Sequence, residues 1–193
     1  MLKRLFIAID PEPALLDTIF RLTSTLKREY PIKGVRYTAP QNLHLTFLFL
    51  GDIDEALIPQ IGDKLERICR NFTEFDLEFS NLGAFPSQRN PRIIWLGVKH
   101  PEPVTALAKA IIHDTGLVAE PEKAGFTPHL TLGRVGESAR GASTEMFSRL
   151  FAKYGSTNVG STRIREVLLY QSTLKPGGPI YTVLSRHDLK NLC

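Results

Sequence analysis

The tripeptide His-Leu-Thr occurs twice in this chain, at His44-Leu45-Thr46 and at His129-Leu130-Thr131. Each copy ends the same longer pattern. An apolar run (Leu5-Phe6-Ile7-Ala8-Ile9 in one, Trp95-Leu96-Gly97-Val98 in the other) leads to Pro-Glu-Pro at 11–13 and 101–103, then to an amphipathic stretch, then to the tripeptide. The first proline and the histidine are 33 residues apart in one copy and 28 in the other. With five histidines and fifteen threonines in the chain, chance predicts about 0.4 matches to H-x-T. Two matches set in two similar frames read as a repeat. The chain is expected to fold from two related halves, each supplying one copy.

Between these landmarks strands and helices interleave. Residues 4–9 read as a buried strand, and Asp10 is placed to cap the helix that follows, with Pro11 at its first position. Leu15, Ile19, Leu22 and Leu26 recur at helical spacing over 12–29. Strands are expected at 35–38 and 43–50, and a helix at 55–71 with Pro59 in its first turn. Phe75, Leu77 and Phe79 alternate with polar residues in a strand at 74–82. A strand at 92–98, a helix at 102–115 and a strand at 128–135 come next. Ser143 or Thr144 can cap a short helix ending near Tyr154, and two last strands at 163–174 and 179–187 flank the turn Pro176-Gly177-Gly178-Pro179. This order implies a layered α+β or α/β fold with much antiparallel pairing.

In a strand, residues i and i+2 share a face, so each histidine stands beside its threonine while the leucine between them turns to the core. Two such strands facing each other bring two imidazoles and two hydroxyls to one small target. A phosphate suits that set: hydroxyls donate to its nonbridging oxygens, and imidazoles exchange protons with the entering and leaving oxygens. An ordinary imidazole pKa near 6.5 lets one copy be protonated and the other neutral. A single H-x-T reads better as a hydrogen-bonded histidine at a sheet edge. A metal site is a weaker reading, because neither motif has a carboxylate in its own strand and no spacing resembles a zinc signature. His100, His113 and His187 lack the threonine and are assigned to surface or capping positions.

Composition narrows the rest. The formal net charge is +4, with basic residues spread along the chain, which suits an anionic partner without naming one. Cys69 and Cys193 are the only cysteines, too few for a disulfide framework or a Cys-rich metal site. The N-terminal apolar run is too short for a signal-peptide core, and nothing approaches the length of a membrane span. The chain is expected to be cytoplasmic, with no membrane partner.

The stretches Arg4 to Ile9, Pro40-Gln41-Asn42-Leu43-His44-Leu45-Thr46 with Phe49-Leu50-Gly51, Leu82 to Pro86, Arg92 to Trp95, Phe126 to Arg134, and Ser172-Thr173-Leu174 with Tyr181 together resemble the RNA 2′,3′-cyclic phosphodiesterases. These were once described as 2′-5′ RNA ligases and belong to the two-histidine phosphoesterase superfamily. The resemblance covers nearly the whole chain, 1–193, and implies one bilobal α+β domain. In it two pseudo-symmetric antiparallel sheets line a cleft, with helices outside. It also implies metal-independent hydrolysis, without a cofactor, that leaves a 2′-phosphate on RNA, and a chain acting as a monomer. By position, His44 matches the general acid, His129 the general base, and Thr46 and Thr131 the phosphate-binding threonines. The sequence alone is symmetric about which histidine does which.

Arg134 matches a phosphate or RNA-backbone contact. Strand alternation puts it on the face opposite His129 unless a bulge near Gly133 intervenes, and a surface salt bridge is the competing reading. Arg36 and Arg92 are weaker candidates of the same kind. Phe6, Tyr37, Phe85 and Tyr181 are candidates to stack a base, core packing being the better reading of the two phenylalanines. Leu48 departs from the family pattern by bringing an apolar side chain to the expected face of His44 and Thr46. The segment 116–125 is short. Readings of the same site include reversible 2′-5′ joining, action on small cyclic nucleotides, and a non-catalytic module that binds RNA ends.

Overall fold

The computed structural model describes residues 1–115, 126–139 and 144–191. Nine strands and four helices are assigned among them, in the order β1 (Leu2–Ile9), α1 (Pro13–Glu29), β2 (Val35–Tyr37), β3 (Leu45–Asp54), α2 (Ile58–Cys69), β4 (Phe75–Ser87), β5 (Asn90–Lys99), α3 (Glu102–Thr115), β6 (His129–Val135), α4 (Thr144–Tyr154), β7 (Asn158–Ile164), β8 (Glu166–Lys175) and β9 (Gly178–Asp188). The segment 116–125, Ser143 and Cys193, for which the sequence raises expectations, lie outside the described residues.

The strands form two antiparallel sheets, ordered β3-β1-β8-β9 and β2-β6-β5-β4-β7. Four positions correspond one to one: β3 to β6, β1 to β5, β8 to β4 and β9 to β7. Each half hands two strands to the other's sheet, β2 and β4 from the first half and β8 and β9 from the second. β4 follows α2 in the first half but pairs with β5 and β7 in the second sheet. β8 follows β7 in the second half but pairs with β1 in the first sheet. This is the α+β arrangement of two related sheets expected above, with the halves interleaved rather than side by side.

One large apolar core draws residues from both sheets and all four helices. Along α1 the buried positions are Leu15, Ile19, Thr23 and Leu26, and along α2 they are Ile61, Leu65, Ile68 and Cys69, each a single stripe at helical spacing. Burying each of these leucines and isoleucines is worth about 1.5–3 kcal/mol. Leu5, Ile7 and Ile9 of β1 face this core. Phe6 and Ala8 face the other way, into a second cluster with Leu168 and Tyr170, edged by Tyr181 and Val183. Thus β1 is buried on both faces, and the second cluster floors the side of sheet 1 on which the first tripeptide stands.

Three sequence expectations change. Helix α1 starts at Pro13 with Glu12 at its cap position; Asp10 instead accepts a 2.5 Å hydrogen bond from the Tyr170 hydroxyl. The expected strand at 163–174 is two strands, because the chain leaves sheet 2 after Ile164 and enters sheet 1 at Glu166. No glycine or proline marks that crossing. His187 is neither a surface nor a capping residue. It is buried between β9 and α2, where Nδ1 donates to Glu66 Oε2 at 3.4 Å and Nε2 accepts from the Ser185 hydroxyl at 2.8 Å.

His187 therefore ties α2 to sheet 1. Replacing it with alanine removes packing and leaves Ser185 without its partner, so His187→Ala should lower unfolding stability by about 1–3 kcal/mol in a denaturant titration. An unchanged midpoint would mean that the contact carries no stability.

Candidate active site

Local backbone geometry decides which side chains share the site. On β3, Thr46 pairs with Ala8 and Leu48 with Ile7, so Phe47 is an extra residue in the strand. This bulge reverses the alternation beyond Thr46. Leu48 turns to the main core, and Phe49, paired with Phe6, takes the face of Thr46. The departure inferred for Leu48 is thus corrected: that position on the wall is held by an exposed aromatic ring. On β6, Ile94 pairs with Gly133 and Trp95 with Thr131, which leaves Leu132 as the extra residue. The bulge anticipated near Gly133 falls one residue earlier, and it returns Arg134, paired with Ile93, to the face of His129 and Thr131.

Both imidazoles are held in the same way. His44 Nδ1 donates to the carbonyl oxygen of Asn42 at 2.8 Å, and His129 Nδ1 donates to that of Thr127 at 2.7 Å. A carbonyl can only accept, so each neutral ring carries its proton on Nδ1 and leaves the Nε2 lone pair for chemistry. Each ring also meets an aromatic edge-on: Tyr181 against His44 at 5.1 Å and 84°, Phe85 against His129 at 4.9 Å and 85°. Phe6 lies 4.9 Å from His44 and stacks on Tyr170 at 5.0 Å. Trp95 lies 6.4 Å from His129.

The two sheets meet where β3 approaches β6. Phe47 of β3 and Phe126, just before β6, are in ring contact. Burial pushes the His44 imidazole down to about 4. The Asn42 carbonyl opposes that shift, while the nearby charges of Arg134 and His129 add to it. Arg134 also acts on the Tyr181 hydroxyl, whose pKa burial raises. A guanidinium of sheet 2 is therefore within electrostatic reach of both His44 and Tyr181 of sheet 1. His44, His129 and Arg134 are thus within electrostatic range of one another across the two sheets, with Thr46 and Thr131 two residues beyond the histidines.

Other candidates are sorted by the same geometry. Arg36 pairs directly with Arg134 and joins its face. Tyr37 pairs with Gly133 and packs on the main core, where burial pushes its hydroxyl up to about 12. It is a core residue, not a base-stacking one. Phe6 is buried beneath His44, whereas Phe85 and Tyr181 border the imidazoles. Arg92 is the unpaired residue of a β5 bulge. Trp95 is an aromatic that sequence reasoning missed. Its ring lies flat over Gly83, where a Cβ would come within 2.2 Å of it; a glycine opposite a tryptophan was the available signal. Among the described residues, no three His, Cys, Asp or Glu side chains are grouped as metal ligands, and no helix is long and apolar enough to cross a membrane.

The profile of the family described as LigT like phosphoesterase matches this chain twice, over residues 9–95 and 97–181. The chain belongs to that family. Each match contains one tripeptide, in line with the repeat read from the sequence. The RNA 2′,3′-cyclic phosphodiesterase of Methanothermobacter thermautotrophicus is 34% identical over 182 residues, covering 94% of this chain and 96% of the relative. That of Archaeoglobus fulgidus is 33% identical over 178 residues, covering 92% and 96%. Among solved structures, E. coli LigT in its apo form superposes with a TM-score of 0.75 at 25% identity, covering 98% of each chain. The same protein complexed with 3′-AMP gives 0.75 at 26% identity, covering 98% of this chain and 99% of that one. The two-sheet α+β fold is thus that of a phosphoesterase family of enzymes.

The shifted imidazole makes a measurable statement. In nitrogen-15 NMR of the free protein, His44 should stay neutral, protonated on Nδ1, down to about pH 4. Inorganic phosphate should raise its pKa, because a nearby anion favours the imidazolium. Between pH 6.5 and 4 the unfolded chain binds a proton that folded His44 refuses, so this group's contribution to stability is full above pH 6.5 and falls as pH drops through that window. Titration near 6.5 in the free protein would contradict the burial argument.

Proposed function

We propose that this chain hydrolyses 2′,3′-cyclic phosphate ends of RNA to 2′-phosphates by acid–base catalysis between His44 and His129. The observation that carries the reading is that both imidazoles are held through Nδ1 by the carbonyl two residues upstream, each two residues before a threonine, at matching places in two related sheets. The relatives named above supply the substrate class.

In this mechanism the cyclic phosphate sits between the two strands, and the Thr46 and Thr131 hydroxyls donate to its nonbridging oxygens. Nε2 of His129 removes a proton from water as the water oxygen bonds to phosphorus. The bond from phosphorus to O3′ breaks, and Nε2–H of His44 delivers a proton to O3′. The products are a 2′-phosphomonoester and a free 3′-hydroxyl, and the two histidines exchange protonation states before the next turnover. Arg134 balances charge on the phosphorane-like transition state, as preorganised cations do at developing charge.

The low pKa of His44 fits the acid role once substrate is present. In the free site burial keeps the imidazole neutral. A bound phosphodiester places a negative charge beside it, offsets Arg134, and favours the protonated ring. The acid is then charged in the complex that needs it. Two imidazoles complete this proton cycle, so the mechanism calls for no metal.

RNA ending in 2′,3′-cyclic phosphate should yield only the 2′-phosphate, with kcat lowered about 10²- to 10⁴-fold in His44→Ala and in His129→Ala. Rates should be unchanged by EDTA. A 3′-phosphate product would refute the assignment of the leaving oxygen. Turnover abolished by EDTA and restored by Zn²⁺ would refute the metal-free mechanism.

A further inference from the structure

The two halves match in their histidines, threonines and flanking aromatics, but not in their cations. Sheet 2 carries a fifth strand, β2, beside β6, and sheet 1 has no counterpart beside β3 among the described residues. β2 pairs Arg36 with Arg134 directly across the ladder. Directly opposed residues of antiparallel strands stand on one face with Cα atoms about 4.5–5.5 Å apart, and like charges placed so repel. Neither guanidinium has a carboxylate partner among the described residues. Arg4, Arg70, Arg149, Arg163, Arg165 and Arg186 each pair with an acid; of the described arginines that do not, Arg36 and Arg134 are the two that stand opposite one another across a strand ladder. Two adjacent guanidiniums on the catalytic face, with no internal counterion among the described residues, make a site for an external anion.

The anion is set by the order of charges across the site. Arg134 is within electrostatic reach of His44 and serves the reacting phosphate. Arg36 lies one strand further out, at the edge of sheet 2. The backbone leaves this strand at Tyr37 and enters β3 at Leu45, passing His44 on the way, so Arg36 and His44 flank one short crossing between the sheets. An RNA end held at the histidines has its next negative charge on the phosphodiester that joins the terminal nucleotide to its 5′ neighbour. We propose that Arg36 binds that second phosphate, which makes the enzyme selective for oligonucleotide ends over mononucleoside 2′,3′-cyclic phosphates and directs the RNA chain out over β2. The inference rests on the function proposed above. It adds a substrate-length requirement and a chain direction to it.

The test compares adenosine 2′,3′-cyclic phosphate, with one phosphate, and the dinucleotide ApA ending in 2′,3′-cyclic phosphate, with two. The wild-type protein should have the lower KM for the dinucleotide. Arg36→Gln should raise the dinucleotide KM about tenfold, as expected when one charge-assisted hydrogen bond to a phosphate is removed. It should leave kcat for both substrates, and KM for the mononucleotide, within about twofold. The dependence of log KM on log salt for the dinucleotide should flatten by about 0.7 in the variant, as expected when a protein neutralises one fewer phosphate on a single strand. Arg36→Lys should fall between the two.

Equal effects of Arg36→Gln on both substrates, or none on either, would overturn this inference and leave the proposed function standing. A wild-type protein that turns over neither substrate would overturn the proposed function, and this inference with it.

Discussion

Each histidine is oriented by its own backbone. The carbonyl two residues upstream accepts the Nδ1 proton, from Asn42 for His44 and from Thr127 for His129. That bond fixes the tautomer before any substrate arrives, so in each neutral ring the proton sits on Nδ1 and Nε2 is the basic nitrogen. Much of the surrounding structure supports these two bonds. The Asn42 side chain donates to the Pro179 carbonyl, pinning the first turn to β9. The aromatic floor of Phe6 and Tyr170 backs one ring, and Phe85 and Trp95 back the other. A tautomer held by main chain needs no carboxylate partner for either ring, and none of the residues from Ala39 to Phe49 or from Phe126 to Arg134 is acidic.

Such symmetry at the ring nitrogens requires symmetry in what carries them. The exchanged strands, β2 and β4 one way and β8 and β9 the other, build it: neither half has a complete sheet without the other, so the relation between β3 and β6 is set by the packing of the whole core. Bulges at Phe47 and Leu132 then adjust the pattern at equivalent distances, three residues beyond each histidine. On β3 the bulge brings Phe49 to the face of Thr46; on β6 it brings Arg134 to the face of Thr131. One device applied twice thus gives an apolar wall on one side and a cation on the other. This difference breaks the equivalence of the two imidazoles electrostatically.

The repeat, the paired tripeptides and most elements were legible in the sequence because they rest on local periodicity. Leu15, Ile19 and Leu26 must share a face whatever surrounds them, and two H-x-T sequences in matching frames have one simple geometric meaning. What was not legible depends on tertiary pairing. Leu48 was assigned to the wrong face because a one-residue bulge carries no composition signal. The break at Arg165 was missed because the chain changes sheets there without a glycine or proline. His187 was read as peripheral because its partners, Glu66 and Ser185, lie 121 and two residues away and the fold brings α2 onto β9. Tyr37 was offered as a stacking residue because its three-residue strand gave too little pattern to choose a face. Arg134 was recoverable, since a bulge near Gly133 was the stated condition for its presence on the catalytic face.

In the proposed mechanism both halves act on one phosphate. A crystal structure of the full chain grown with inorganic phosphate tests it most directly. A single phosphate should lie about 2.6–3.2 Å from Nε2 of both His44 and His129, with the Thr46 and Thr131 hydroxyls donating to it. A phosphate held by only one histidine, or two phosphates bound separately at the two motifs, would contradict the account.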